Sequence, residues 1–314
     1  TTGENTFVVS VKGNFDHCQT AVKNIFGDPQ MNVWLAERGK QFSSANSINW
    51  GRLMPQIAYY FWTYASLMRQ GQIKAGDKIN IVVPTGNFGN ILAAWYAGQM
   101  GLPVRKFICA SNQNKVLTDV IQTGVYDRRR EFYQTSSPSM DILVSSNFER
   151  FLFAVSGYDS AKIASWFAAL KQNGVFTIDE ALQKKFQNWL EAGFADEAKT
   201  AATIQRHYAQ NGYVLDPHTA VGVAVYEEYQ KTSGDSTPTI IASTASPFKF
   251  SHSVLQALGK EVPQGEEAQL EALAQAAHKP VPDSLAQAQH MPILHNTVVE
   301  VEGMAQIVKD ILSR

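Results

Sequence analysis

Val83-Pro84-Thr85-Gly86-Asn87-Phe88-Gly89-Asn90 is the stretch of this chain best suited to chemistry. It follows an apolar run, Lys78–Val83, and opens a periodic one carrying Ile91, Leu92, Trp95 and Met100. A glycine-containing bend between strand and helix lets successive backbone N–H groups converge on one point. The helix N-terminus adds about half a positive charge, so a phosphate is favoured there. Gly86 and Gly89 would admit its oxygens close to the main chain, with Thr85 and Asn87 adding side-chain hydrogen bonds. On spacing alone, a strand–helix turn without a ligand fits equally well. The bend is not a Walker loop, because no Gly-Lys-Ser/Thr follows, and it is not a GxGxxG dinucleotide turn.

Other candidates carry less. Arg52 offers a planar fork suited to phosphate or carboxylate, and equally reads as a surface arginine at a helix start. His218 follows Asp216-Pro217 near a helix start and reads as a packed, hydrogen-bonded histidine ahead of a proton carrier. Arg128-Arg129-Arg130 reads as a solvated loop ahead of a phosphate-attracting rim. Cys18 and Cys109 belong to no CxxC or metal-like cluster, so reduced thiols in the cytosol and no metal site are expected.

The elements that must hold these residues follow from periodicity. Thr6–Val11 reads as a strand. Gly13-Asn14 turns the chain, and Asp16 caps a helix with Ala21, Val22, Ile25 and Phe26 on its apolar face. Gly39–Asn49 reads as a loop. It leads into an amphipathic helix with Leu53, Ile57, Tyr60, Phe61, Tyr64, Leu67 and Met68 on one face. Lys78–Val83, Arg105–Ala110 and Thr239–Ser243 read as buried strands, and Val116–Ile121 as helix. The β-α-β-α order predicts a parallel sheet. Residues from Ser146 to about Lys231 read as mostly helical, Glu261–Pro282 as peripheral, and Val301–Leu312 as a final helix.

The 314 residues are 45 % hydrophobic and 18 % charged, which suits a globular protein with a sizeable core. A net charge of -1 argues against a nucleic-acid or membrane-surface binder. No run approaches the roughly 20 apolar residues of a membrane helix. The opening Thr1-Thr2-Gly3-Glu4 has no initiator Met and enters a strand-like run within a few residues, as a fragment would.

Five collinear stretches then resemble the threonine synthase family: Pro84–Gly89 (PTGNFG), Ser44–Gln56 (SANSINWGRLMPQ), Met140–Leu152 (MDILVSSNFERFL), Asp216–Gly222 (DPHTAVG) and Ala242–Phe250 (ASTASPFKF). The similarity runs from Thr1 to about Leu258. It implies an α/β, parallel-sheet fold of the tryptophan-synthase-β type that uses pyridoxal 5'-phosphate (PLP), incomplete here at the N-terminus. It implies conversion of O-phospho-L-homoserine and water to L-threonine and phosphate. The domains expected are a remnant of the small domain with its linking helix (1–75), a large PLP-phosphate-binding domain (76–260) with a helical insertion at about 146–232, and a C-terminal helical extension (261–314).

By the same resemblance, Gly86, Asn87, Phe88 and Gly89 hold the cofactor phosphate, with Asn90 a looser candidate and Thr85 beside them. Relatives often have Asp at the Asn90 position, which puts a charge-dependent role there in doubt. Thr244, with Ser243 as neighbour, faces the pyridine nitrogen, although Thr244 also fits a helix N-cap. Asn46, Asn49 and Arg52 lie on the substrate side. The family's cofactor-linked lysine belongs to a Phe-Lys-Asp-type motif upstream of the point matching Thr1, and the family's early Ser/Thr-Gly-Asp-Thr-Gly-type loop is absent too. Lys106 and Lys249 are only decoys for that lysine. The chain alone is therefore expected to be inactive, with the missing region as its partner. A non-catalytic phosphate- or PLP-binding module, and a serine or threonine dehydratase or cysteine synthase, remain alternatives.

Overall fold

The computed structural model describes residues 3–13 and 15–313, with Phe15 and Asp16 described by backbone alone. The expected Asn14 turn and Asp16 cap lie outside the described residues. The chain divides into two compact units, one formed by 1–44 with 283–314 and the other by 45–282. These boundaries differ from the three segments expected from sequence.

The first unit holds β1 (Val9–Lys12), α1 (Phe15–Gly27) and α2 (Pro29–Ala36). The second starts at α3 (Trp50–Arg69), followed by β2 (Ile79–Pro84), α4 (Gly89–Gln99), β3 (Val104–Ser111), α5 (Val116–Thr123) and β4 (Val125–Asp127). A short 3-10 turn, Pro138–Met140, precedes α6 (Phe148–Val155), α7 (Ser160–Asn173), β5 (Val175–Thr177), α8 (Glu180–Gln187), β6 (Leu190–Phe194) and α9 (Glu197–Asn211). Then come α10 (Pro217–Ser233), β7 (Thr239–Ile241), α11 (Ser251–Ala257) and α12 (Glu266–Ala277). The chain returns to the first unit with α13 (Asp283–Ala288), β8 (Thr297–Glu300) and α14 (Met304–Leu312).

The second unit is built on a four-stranded sheet in the order β6-β3-β2-β7, with every neighbouring pair parallel. Every residue of β2 is buried. Ile79, Ile81 and Val83 point to one core with α3, α4 and α5, while Val82 points to the other with Val221, Ala224 and Val225 of α10. This period-two alternation between two apolar layers is what a parallel strand covered on both faces requires. The chain runs β2, β3, β6 outward on one side and then places β7 on the other side of β2. That reversal makes the carboxyl ends of β2 and β7 a topological switch point, the place where open α/β sheets bind ligands.

Several expectations are corrected. The 146–231 region is interrupted by β5 and β6, and β6 is a full member of the main sheet. Leu190-Glu191-Ala192-Gly193-Phe194 has weak strand propensity; pairing along Phe107–Ser111 makes it a strand. Gly193 is tight there, because a Cβ would sit 2.9 Å from Val225. β7 is half-buried at the sheet edge, not a buried central strand. Residues 261–282 are not merely peripheral: α12 buries Leu270, Leu273 and Ala276. Phe61 is exposed, because the buried stripe of α3 is Leu53, Ile57, Tyr60 and Tyr64. The last helix begins at Met304, since β8 pairs with β1 in parallel just before it. The first strand is Val9–Lys12. Among the described residues no helix is long and apolar enough to cross a membrane, and no group of three or more His, Cys, Asp or Glu is placed to hold a metal ion.

Asp235 ties the amino-terminal ends of β2 and β7. Its carboxylate accepts from Asn80 Nδ2 at 3.0 Å, Tyr229 OH at 2.7 Å and Thr237 Oγ1 at 2.6 Å. Burial pushes this carboxyl up, but the bonds from Thr237, Tyr229 and Asn80 outweigh it and hold it well below the usual carboxylate range. A folded value below the unfolded one, about 3.9, gives stability that is complete above the unfolded value and is lost as the pH falls through the folded one. The urea midpoint should therefore hold level between about pH 7 and 5 and drop below about pH 4. Asp235→Asn should flatten that acid limb, and an identical limb in both proteins would refute the assignment.

Candidate functional site

The bend after β2 is held from behind. Thr85 N–H donates to Ala110 O at 2.8 Å, and its hydroxyl donates to Val83 O at 2.6 Å, so this buried side chain is committed inward. Beneath it, burial pushes the Cys109 thiol up to about 12, which leaves it an inert core group. The two glycines are needed for reasons other than the one read from sequence. A Cβ on Gly86 would sit 2.7 Å from Ser139 O and 3.1 Å from Met140 Cα. A Cβ on Gly89 would sit 2.6 Å from Ser47 Oγ. The space beside each Cα is filled by protein, so the glycines let neighbouring segments close onto the bend. Phe88 takes the left-handed conformation, φ 60°, at a cost of about 1–2 kcal/mol for a residue with a side chain. Its buried ring offsets that cost by packing on Phe148 and Phe151, with centroids 5.1 and 5.3 Å away.

The hydrogen bonds of the bend are one-sided. Its carbonyls are taken: Gly86 O by Ser145 Oγ at 2.9 Å, Asn87 O by Asn147 N and Nδ2 at 3.1 and 3.0 Å, and Phe88 O by Leu92 N at 3.1 Å. No described hydrogen bond uses the N–H of Gly86, Asn87, Phe88, Gly89 or Asn90. Five successive donors are thus left at the mouth of a buried strand, with α4 starting at Gly89. Gly86, Phe88 and Gly89 are buried and Asn87 and Asn90 partly so; unpaired donors in such a place call for an acceptor, and an anion is the acceptor that the helix N-terminus favours. The residues present therefore fit a phosphate group without any basic side chain.

Ser145, Ser146, Asn147 and Ser47 were not singled out from sequence, although they lie inside the two stretches around them. Fully buried Asn147 also donates to Ser47 Oγ at 3.0 Å and accepts from Arg150 Nη1 at 3.2 Å, while Ser146 Oγ bonds Asn87 Oδ1 at 3.3 Å. The run of two hydroxyls and an amide just before α6 was the available signal. Asn90 Oδ1 accepts from Tyr60 OH of α3, which burial keeps protonated, so Asn90 is a helix–helix tie.

The second arm is the loop after β7. Val82 pairs with Ile241, so Thr85 and Thr244 each lie three residues past one register point on adjacent parallel strands. Both arms therefore leave the same edge of the sheet. Ser243 and Thr244 are exposed, and Thr244 is not a helix cap, since the next 3-10 turn is capped at Ser246. At the start of α10, buried Asp216 accepts from the N–H groups of His218 and Thr219, and Thr219 Oγ1 lies 3.3 Å from Ser243 Oγ. His218 is packed and hydrogen-bonded, 3 % exposed.

The Asn46–Asn49 loop, expected from sequence to face a substrate, lies against the bend through Ser47. Asn46 Oδ1 accepts from Ile48 N at 3.1 Å, and Asn49 caps α3 by accepting from Gly51 N at 2.9 Å. Arg52 is exposed in the first turn of α3. Arg129 and Arg130 pair with Asp127 and Asp119 at 2.8 and 2.6 Å, and Lys106 pairs with Glu191 at 2.7 Å, while Lys249 is exposed.

Residues 219–309 match the family model described as "Threonine synthase, C-terminal". The chain is 48 % identical over 271 residues to "Threonine synthase-like 1" of Homo sapiens, covering 85 % of this chain and 36 % of that protein. It is 38 % identical over 269 residues to "Threonine synthase" of Saccharomyces cerevisiae, covering 81 % and 51 %. The PLP-bound threonine synthase structure from Brucella melitensis matches with a TM-score of 0.77 at 36 % identity, over 99 % of this chain and 60 % of that one. The chain thus spans between about a third and a half of the length of the curated relatives named here.

Proposed function

This chain is a relative of the threonine synthases and carries that family's C-terminal domain, and from that premise we propose that it supplies the phosphate-holding and ring-facing half of a PLP site. The full site would convert O-phospho-L-homoserine and water to L-threonine and phosphate in the cytosol. The observation that carries the reading is the set of five unpartnered N–H groups from Gly86 to Asn90 beside the Thr244 loop. When bound, PLP supplies an electron sink. Gly86–Asn90 would hold its phosphate by backbone donors. Thr244, with Ser243 next to it, would meet the pyridine nitrogen with a neutral hydroxyl, which bonds that atom without forcing a proton onto it. Asn46, Asn49 and Arg52 would face the substrate, Arg52 as the group able to grip a phosphate or carboxylate.

No lysine of this chain is assigned the covalent role; Lys106 is already spoken for by Glu191. The amine would come from a region outside these 314 residues, and the chain alone would not turn substrate over. The same five backbone donors, in a chain with no lysine assigned the covalent role, suit a second reading, a reversible PLP- or phosphate-binding module. Intact mass after borohydride reduction with PLP separates these from a self-sufficient enzyme. We expect no adduct, and a specific adduct on Lys106 or Lys249 would overturn the assignment. Thr244→Ala should weaken PLP about five-fold by calorimetry, the effect of one hydrogen bond, and leave inorganic phosphate binding unchanged. An unaltered PLP affinity would remove Thr244 from the site.

A further inference from the structure

The Asp216–Thr219 turn contacts the loop after β7 directly and the phosphate bend through Ser139. Thr219 has one hydroxyl proton, and its Oγ1 contacts both Asp216 Oδ2 and Ser243 Oγ. An ionised carboxylate only accepts, so Thr219 donates to Asp216. Burial opposes ionisation of Asp216, but the bonds from His218 and Thr219 outweigh it and keep the carboxyl below its ordinary range. The same Thr219 Oγ1 lies 3.3 Å from Ser243 Oγ, so the Thr219 hydroxyl draws the Ser243 side chain toward the Asp216 turn. With the Ser243 side chain engaged at that turn, Thr244 is the neighbouring hydroxyl at the end of β7 that no described hydrogen bond draws away.

The other branch runs through His218. Its Nδ1 lies 3.2 Å from Asp216 Oδ1, so that nitrogen carries the proton. Its Nε2 is thereby the acceptor, 3.4 Å from Ser139 N–H. The carbonyl of the same Ser139 is the atom pressed against Gly86. One buried carboxylate thus reaches the phosphate bend through His218 and Ser139, and the ring-side loop through Thr219 and Ser243.

We propose that Asp216, acting through His218 and Thr219, is the positioning bracket that sets the two arms of the PLP site relative to each other, with Thr219 fixing which hydroxyl faces the ring nitrogen. The proposal rests on the assignment of the Gly86–Asn90 bend and the Thr244 loop to one cofactor. Because the branches are separate, their effects should separate.

The test is calorimetric titration of the full chain and its variants with inorganic phosphate and with PLP, alongside thermal unfolding. His218→Phe keeps a ring against Phe250, whose centroid is 5.0 Å away, and removes the Ser139 bond. It should weaken phosphate and PLP together, about ten-fold. Thr219→Val should weaken PLP about five-fold and leave phosphate as it was, with Thr219→Ser restoring the parent value. A purely structural role would lower the unfolding temperature and move both ligands alike in both variants, and that result overturns the bracket. Parent-like binding of both ligands by both variants also overturns it. Failure of the unmodified chain to bind phosphate or PLP overturns the cofactor assignment itself, and the bracket with it.

Discussion

Gly86→Ala is expected to destabilise the chain by about 2–4 kcal/mol and to abolish measurable phosphate binding. The new methyl would lie 2.7 Å from a backbone oxygen and 3.1 Å from a backbone Cα. Neither is the end of a flexible side chain, so the strain cannot be relieved by a rotamer change. Nor can the opposing backbone retreat cheaply. Met140 is buried, and Asp141 next to it accepts from Asn112 Nδ2 at 2.7 Å, Asn114 Nδ2 at 3.0 Å and Thr135 N at 2.9 Å. The bend itself must yield, and that disperses the donors that converge on the anion. Gly27→Ala is the control, since a Cβ there meets nothing within 4 Å. Urea unfolding and phosphate calorimetry on both variants decide the matter. Equal behaviour of the two would show that the close approach of Ser139 is unimportant.

Asn147 is the second residue whose replacement should have a large effect. It is fully buried, and its side chain joins three segments: the bend through Asn87 O, the Ala45–Asn49 loop through Ser47, and α6 through Arg150. Asn147→Ala leaves Ser47 and Arg150 without this partner and should lose about 2–3 kcal/mol of stability. Asn147→Asp should be worse for function. It would replace the Nδ2 donor with an acceptor facing Asn87 O and place a negative charge beside the anion-binding donors. We expect the alanine variant to keep weakened phosphate binding and the aspartate variant to keep none by calorimetry. Aspartate binding as well as alanine would argue that the anion lies elsewhere.

The candidate bend was more legible in the sequence than the register of the sheet around it. The buried β2 run, the glycine bend and the start of α4 are local features, written in consecutive residues between Lys78 and Met100. The parallel β2–β3 pairing was legible for the same reason. β6 was not legible, because Glu191, Ala192 and Gly193 carry no strand signal and its existence depends on a partner about eighty residues earlier. The reason for the glycines was also hidden. Sequence alone suggested room for a ligand, whereas the neighbours that forbid a side chain, Ser139 and Ser47, are distant in the chain. Asn87 was singled out as a side-chain donor, yet its carbonyl, gripped by Asn147, shows how the bend is braced. His218 was read correctly as packed, but its link to Ser139 exists only in three dimensions.

The central claim is that backbone donors from Gly86 to Asn90 receive the phosphate of PLP. It is tested most directly by titrating PLP into the isotopically labelled chain and following amide proton and nitrogen shifts. The account predicts saturable shifts at Gly86, Asn87, Phe88, Gly89 and Asn90, matched by inorganic phosphate at the same residues. Saturable binding that leaves those five amides unmoved, with shifts gathered instead at Arg128–Arg130, would contradict it.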